Sequence, residues 1–305
     1  MSLKNKEDNS KMKSQRNLGR VVKFYSNLLV VQDNNSLEQI LCKLRGKFKK
    51  QGIRPIVGDI VEYTCLSGNE GVVENIINRT NELKKPSVAN VEQVIIVTTI
   101  EKPVVPYDIL DRFIVLVEQE KLPIVIVLNK VDLLSKGKIA EFDSIYGKLY
   151  PVVKTSALNK VGLGELKMYL AGKLSVFAGM SGVGKSSLLN AIESSLKLRT
   201  GEISEKLERG RHTTTAAELL PLSFGGWVVD TPGFASLEIT HIEPLRLREL
   251  FIEFENDKCF FPDCVHIDEP ECSVKKSVEK GKINKSRYES YVKFFNELNE
   301  IKAAQ

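Results

Sequence analysis

The chain has 305 residues, 42% hydrophobic and 27% charged, with a net charge of +5. That length and apolar content suffice for two or three globular units and exclude a chain too polar to bury a core. No apolar run approaches the roughly 20 residues of a membrane-spanning helix. The stretch 1–17 is polar and Lys-rich without the apolar segment of a secretory leader, so it reads as a disordered basic tail on a cytoplasmic protein with no membrane partner.

Residues 18–82 read as short strands. The runs 20–25, 27–31, 39–44, 59–63 and 71–77 are rich in β-branched residues and punctuated by Asn, Gly, Asp and Ser. Five short strands predict a small barrel, an OB-fold or an SH3-like relative. Between Cys42 and Arg54 stand Lys43, Arg45, Lys47, Lys49 and Lys50 with no acidic residue. Alone, such a run is a solvated face. On a loop between barrel strands, where OB-folds commonly bind RNA or single strands, it becomes an RNA-binding candidate. Cys42 and Cys65 are expected to be small buried hydrophobes.

After a linker near residues 81–86 the pattern changes. Residues 83–236 alternate near-continuous apolar runs with helical spacing, as in Leu110, Phe113, Ile114 and Val117. The runs 94–100 and 123–128 suit parallel strands buried on both faces, and 150–153, 174–178 and 226–229 add further strands. This predicts an α/β domain with a mainly parallel sheet.

Within it, Gly179, Met180, Ser181, Gly182, Val183, Gly184, Lys185 and Ser186, followed by Ser187, match a phosphate-binding loop between a strand and a helix. The glycines let successive backbone N–H groups face phosphates at a helix N-terminus. Lys185 is expected at the β- and γ-phosphates, and the Ser186 hydroxyl at Mg²⁺. Asn129, Lys130 and Asp132 end an apolar strand, where a carboxylate can accept two hydrogen bonds from guanine and none of that pattern from adenine. Thr155, Ser156 and Ala157 form a second base-contacting loop. Asp230 and Gly233 lie where a Mg²⁺-holding carboxylate and a γ-phosphate-sensing N–H are needed. The polar segment 210–215 suits a mobile switch, with Thr214 or Thr215 completing the Mg²⁺ shell, although a Thr run also suits the start of a strand. These motifs predict a site for GTP and GDP. Their order is rotated, because the base motifs precede the phosphate loop.

Residue Phe234 follows Gly233, where many small GTPases place the glutamine that orients water. A phenyl ring cannot do this by hydrogen bonding, so His212 is the catalytic candidate. A capping or partner-facing histidine is the alternative.

Beyond residue 237 strands give way to helices over 245–254 and 284–301. Between them, Cys259, Cys264, His266 and Cys272 offer three thiolates and one imidazole, the ligand set of a closed structural Zn²⁺ site with one ion per chain. The metal would stabilise a region, 237–305, too small for a core of its own.

The rotated order, the Gly210-to-Thr215 segment, the preceding barrel and the Cys/His cluster together resemble the ribosome small-subunit-dependent GTPase A family, over about residues 18–300. The resemblance implies an OB-fold, a circularly permuted P-loop GTPase domain and a helical zinc-binding domain. It implies a monomer acting on the 30S subunit and its 16S rRNA late in maturation, with slow hydrolysis stimulated by the subunit and coupled to release. It also implies a catalytic role for the His212 position. The other reading is an RNA-binding placeholder in which nucleotide sets conformation and hydrolysis is incidental.

Overall fold

The computed structural model describes residues 16–25, 28–66, 68–84, 86–196, 198, 217–230, 237–255 and 259–303. The chain divides into two compact units, residues 1–82 with 87–90, and residues 83–86 with 91–305.

In the first unit, β1 (Arg16–Tyr25), β2 (Leu28–Asp33), β3 (Gln39–Leu44), β4 (Ile60–Cys65) and β5 (Glu70–Ile76) close a barrel in the order β1-β2-β3-β5-β4. Parallel pairing of β3 with β5, together with antiparallel pairing of β1 with both β2 and β4, is OB-fold topology. Register shifts at Val21/Lys23 and Glu62/Tyr63 bend the strands enough for five to close. Alternation sends Val21, Val31, Ile40, Val61, Tyr63 and Val73 inward. The first strand starts at Arg16, inside the stretch read as tail, where Arg16 and Asn17 pair with Thr64 and Tyr63 of β4.

The basic run departs from a plain loop. Lys43 lies on β3, and Lys47, Lys49 and Lys50 lie on a one-turn helix, α1 (Gly46–Lys50). The turn forms because Phe48 is buried among the barrel residues, and Lys47 and Lys50 stand exposed beside it. Arg45 pairs with Glu74 of β5 at 2.6 Å, an acidic partner the run itself does not contain. Cys42 is buried as expected, whereas Cys65, at the end of β4, is exposed.

Two three-residue strands, β6 (Glu82–Lys84) and β7 (Ser87–Ala89), precede the second unit's sheet. That sheet has β8 (Gln93–Thr98), β9 (Ile124–Leu128), β10 (Val152–Lys154), β11 (Leu174–Ala178), β12 (Glu218–Pro221) and β13 (Trp227–Asp230). The order is β10-β9-β8-β11-β13-β12, with every pairing parallel except β12 with β13. Every residue of β8, β9 and β11 is buried, which explains their unbroken apolar runs. Helices α2 (Tyr107–Gln119), α3 (Lys136–Tyr146), α4 (Leu163–Leu170) and α5 (Lys185–Ile192) accompany the sheet.

The C-terminal region packs within this same unit. The helix expected over 245–254 is broken into α6 (Pro244–Leu247) and two 3₁₀ turns, Arg248–Leu250 and Ile252–Phe254. Phe251 leaves helical geometry at φ −106°, ψ 87°, so its ring and that of Phe254 both enter the core, stacked 5.4 Å apart. The last helices are α7 (Ser273–Glu279) and α8 (Lys285–Ala303). Their core includes Val115 and Leu116 of α2.

Candidate functional site

The phosphate loop joins β11 to α5. At Gly179 (φ 132°) a Cβ would lie 2.1 Å from the Val97 carbonyl oxygen, and at Gly184 (φ 98°) 2.5 Å from Asn129 Nδ2. Only glycine permits both the backbone conformation and the close approach. Lys185 Nζ donates back to the carbonyls of Gly179 (2.8 Å) and Met180 (2.9 Å), so its ammonium spans the loop. Burial pulls its pKa down, which favours an anionic partner there. Met180, Ser181, Gly182 and Ser187 are exposed, Val183 is buried, and Ser186 is half-buried in the first turn of α5.

The base motif reaches the same place from β9. Asn129 is buried, and its Nδ2 donates to the Val183 carbonyl at 2.8 Å. Its Oδ1 accepts from Thr155 Oγ1 at 3.0 Å, so one amide ties the base motif, the phosphate loop and the second base loop together. Lys130, in left-handed geometry at φ 59°, donates from Nζ to the carbonyls of Gly182 (2.8 Å) and Lys102 (2.6 Å). Val131 N donates to the Thr155 carbonyl at 3.1 Å. Thr155 and Ser156 are buried, Ser156 Oγ accepts from Asn159 N, and Ala157 is half-buried. Asp132 lies on a 3₁₀ turn and is exposed, so its carboxylate would leave water only once a base covers it.

These three motifs therefore meet at the C-terminal ends of β9, β10 and β11, on one edge of the sheet, the usual place for a ligand on an open α/β sheet. The backbone of Asp230 ends β13, paired with Glu218 of β12. The Asp230 side chain, the Lys49 side chain, His212, Thr214, Thr215, Gly233 and Phe234 lie outside the described residues.

The four residues expected to bind metal also come together. Nδ1 of His266 is 3.4 Å from Cys259 Sγ, 3.3 Å from Cys264 Sγ and 3.4 Å from Cys272 Sγ, and Cys259 and Cys272 sulfurs are 3.8 Å apart. All four ligand atoms lie within 4.8 Å of one another. Tetrahedral zinc, with bonds of about 2.3 Å to sulfur and about 2.0 Å to nitrogen, needs separations of about 3.8 Å between sulfurs and about 3.5 Å from sulfur to nitrogen. The donor set fits a closed Zn²⁺ site. Burial pushes the Cys264 thiol up to about 12, so filling the site must displace protons.

Residues that no motif announces hold this cluster in place. Tyr291 Oη donates to the Val265 carbonyl and Tyr288 Oη to that of His266, each at 2.7 Å. Glu269 accepts from Val265 N (2.5 Å) and Ile267 N (3.0 Å), and Arg248 Nη1 donates to the Cys264 carbonyl at 2.8 Å. The two tyrosines could be read from the sequence only as part of an apolar stripe. Loop 99–106, which meets Lys130 through Lys102, carried no motif at all.

A family model described as RsgA GTPase matches residues 74–240, and one described as RsgA N-terminal domain matches residues 18–73. The small ribosomal subunit biogenesis GTPase RsgA of Thermotoga petrophila is 56% identical over 288 residues, covering 93% of this chain and 98% of the relative. The protein of the same name from Caldanaerobacter subterraneus is 45% identical over 285 residues, covering 92% and 96%. Among solved structures, YjeQ from Thermotoga maritima matches with a TM-score of 0.85 at 53% identity, covering 93% of this chain and 99% of that one. YloQ, a circularly permuted GTPase, matches at 0.81 and 35% identity, covering 95% and 97%.

Proposed function

This chain belongs to the RsgA family of GTPases, and on that premise we propose that it hydrolyses GTP while assisting maturation of the small ribosomal subunit. The observation that carries the nucleotide reading is the Asn129 amide, which links base motif, phosphate loop and second base loop within one set of hydrogen bonds. Asp132 reads guanine, with Lys130 and the Thr155, Ser156 and Ala157 loop shaping the base pocket. The backbone N–H groups from Gly179 to Ser187 and the Lys185 ammonium hold the phosphates, and Gly233 offers its N–H to the γ-phosphate. Ser186, Asp230 and one of Thr214 and Thr215 supply oxygen donors to Mg²⁺, which when bound neutralises charge on the β- and γ-phosphate oxygens.

His212 orients the attacking water in place of the glutamine that Phe234 replaces. Lys43, Arg45, Lys47, Lys49 and Lys50 meet 16S rRNA, where they release counterions. Cys259, Cys264, His266 and Cys272 hold one zinc. Among the described residues no helix is long and apolar enough to cross a membrane, and the site of action we assign, with the ribosomal subunit, is the cytoplasm. Every nucleotide motif comes from one chain, so a monomer suffices.

Single-turnover GTP hydrolysis with and without saturating small subunits tests this reading. A trans-acting partner can accelerate hydrolysis by up to about 10⁵-fold, so a large stimulation is expected. The His212→Ala protein should bind GTP and the subunit yet lose most of that stimulation. Equal rates for the wild-type protein with and without the subunit would favour a placeholder whose nucleotide only sets conformation. Full stimulation of His212→Ala would assign water orientation to another group.

A further inference from the structure

Helix α2 is shared between the nucleotide site and the C-terminal region. The loop feeding it is closed on itself by Thr99, whose Oγ1 donates to the Pro103 carbonyl at 2.6 Å and whose carbonyl accepts from Val105 N. The same loop is tied to the site, because Lys130 Nζ bonds both the Lys102 and Gly182 carbonyls. A single ammonium thus joins base motif, phosphate loop and the approach to α2.

From the other side α2 is clamped to α8 by three ion pairs. Lys293 Nζ meets Asp108 Oδ2 at 2.5 Å, Arg287 Nη1 meets Asp111 Oδ1 at 2.7 Å, and Arg112 grips Glu297 with two bonds of 2.8 and 2.5 Å. Arg112 does more than pair. Its guanidinium lies over the Phe294 ring, 4.5 Å from the centroid, and its Nη1 also reaches the Leu237 carbonyl at 3.4 Å. Leu237 is the first described residue after the Asp230 strand end and packs on the C-terminal core. A planar fork that meets a carboxylate in bidentate fashion fixes orientation as well as distance.

We infer that Arg112 is a positioning residue that couples the guanine-nucleotide site to α8, so that occupancy of the site is felt across the C-terminal region without passing only along the chain that follows β13. The coupling is reciprocal, as linkage requires. It rests on the guanine-nucleotide reading and goes beyond it.

Hydrogen–deuterium exchange of the full chain, with and without excess GDP, tests it. In the wild type GDP should slow exchange of the phosphate-loop amides and, by about fivefold, of the α8 amides near Glu297, at the low end of known coupling energies. Glu297→Gln and Arg112→Glu should keep phosphate-loop protection while the α8 response falls below about twofold. Combining Arg112→Glu with Glu297→Arg restores the ion pair but not the Leu237 bond, so about half of the response should return. A merely structural role would raise α8 exchange in the variants and leave its dependence on GDP intact. Failure of GDP to protect the phosphate loop would remove the nucleotide reading and the coupling with it. Protection there with unchanged α8 exchange in the wild type, or an α8 response that survives Glu297→Gln, would overturn the coupling alone.

Discussion

Arg287 is fully buried, and its replacement by methionine should be the most damaging single change outside the metal ligands. Its guanidinium bonds Asp111 at 2.7 Å and Glu253 at 2.7 and 3.1 Å, and it lies 4.7 Å from the Phe251 ring centroid. Methionine keeps most of the stem's volume, so little of the cost comes from a cavity. What remains is two carboxylates buried without their cation, with only neutral partners such as Tyr146 Oη, 2.9 Å from Asp111, and Ser290 left to Asp111. Removing one partner of a buried pair costs about 3–5 kcal/mol, or a fall of roughly 6–20 °C in Tm for a unit of this size. The pH dependence gives a second check. Burial already raises the Asp111 pKa, and losing Arg287 raises it further. A raised carboxyl contributes its stability fully below its unfolded value and loses it as pH rises through its folded value, so the deficit must grow from pH 5 to pH 8. Urea unfolding of the zinc-loaded protein at both pH values measures this. A loss below about 1 kcal/mol, or one that does not change with pH, would refute the reasoning.

The Asp132→Asn protein should lose about 10- to 100-fold in GTP affinity and gain preference for xanthosine nucleotides, read by titration with each. Unaltered GTP affinity would take Asp132 out of the base site. Metal analysis should find one zinc per chain, and Cys264→Ser should lower zinc content and the melting temperature while GTP affinity holds; a wild type that folds fully without metal would contradict this. Glu193 accepts from Ser223 N and from Ser195, and these bonds, those of Ser223 first, hold its pKa at about 2 rather than 4.5. A depressed carboxylate stabilises fully above its unfolded value, so Glu193→Gln should cost about 2 kcal/mol at neutral pH and progressively less as pH falls from 4.5 towards 2; a deficit that persists at the acid end counts against it.

What could be read from the sequence had a local signature. The phosphate loop follows an apolar strand and opens a helix within a dozen or so residues, and the three cysteines with His266 lie close together in the chain. The barrel was visible as five β-rich runs, though only pairing of β3 with β5 and of β1 with β4 selects the OB-fold over an SH3-like barrel. Strand β12 was missed, because a four-residue antiparallel edge strand ending at Pro221 has neither the length nor the continuous apolar run of its neighbours. The placement of Lys47, Lys49 and Lys50 on α1 turned on Phe48, whose burial has no periodic signal in so short a segment. Least legible were the long-range polar connectors. Arg287 and Asp111 are 176 residues apart, and nothing in either neighbourhood marks them as partners.

Those connectors limit what a zinc ion in the Cys/His cluster would stabilise. A small metal-bound region is often treated as a module that folds on its own ion, and residues 237–305 invite that view. Yet its core closes only with Val115 and Leu116 from α2, and Arg287 finds one of its two carboxylates on that same helix. Without α2, burying Arg287 beside Glu253 alone would leave a bidentate pair whose second partner is water, and the apolar patch that receives Val115 and Leu116 would be open. A zinc ion held there would therefore fix the geometry of one end of this region, where Tyr288 and Tyr291 meet the loop that carries the cysteines, while α2 fixes the other. Rotation of the motif order makes this arrangement possible. With the base-reading strands first and the β13 strand last, the chain leaving the sheet packs on a helix laid down more than a hundred residues earlier. The C-terminal region is in this sense a second layer of the GTPase unit, with the Cys/His cluster at one end and the ion pairs to α2 at the other.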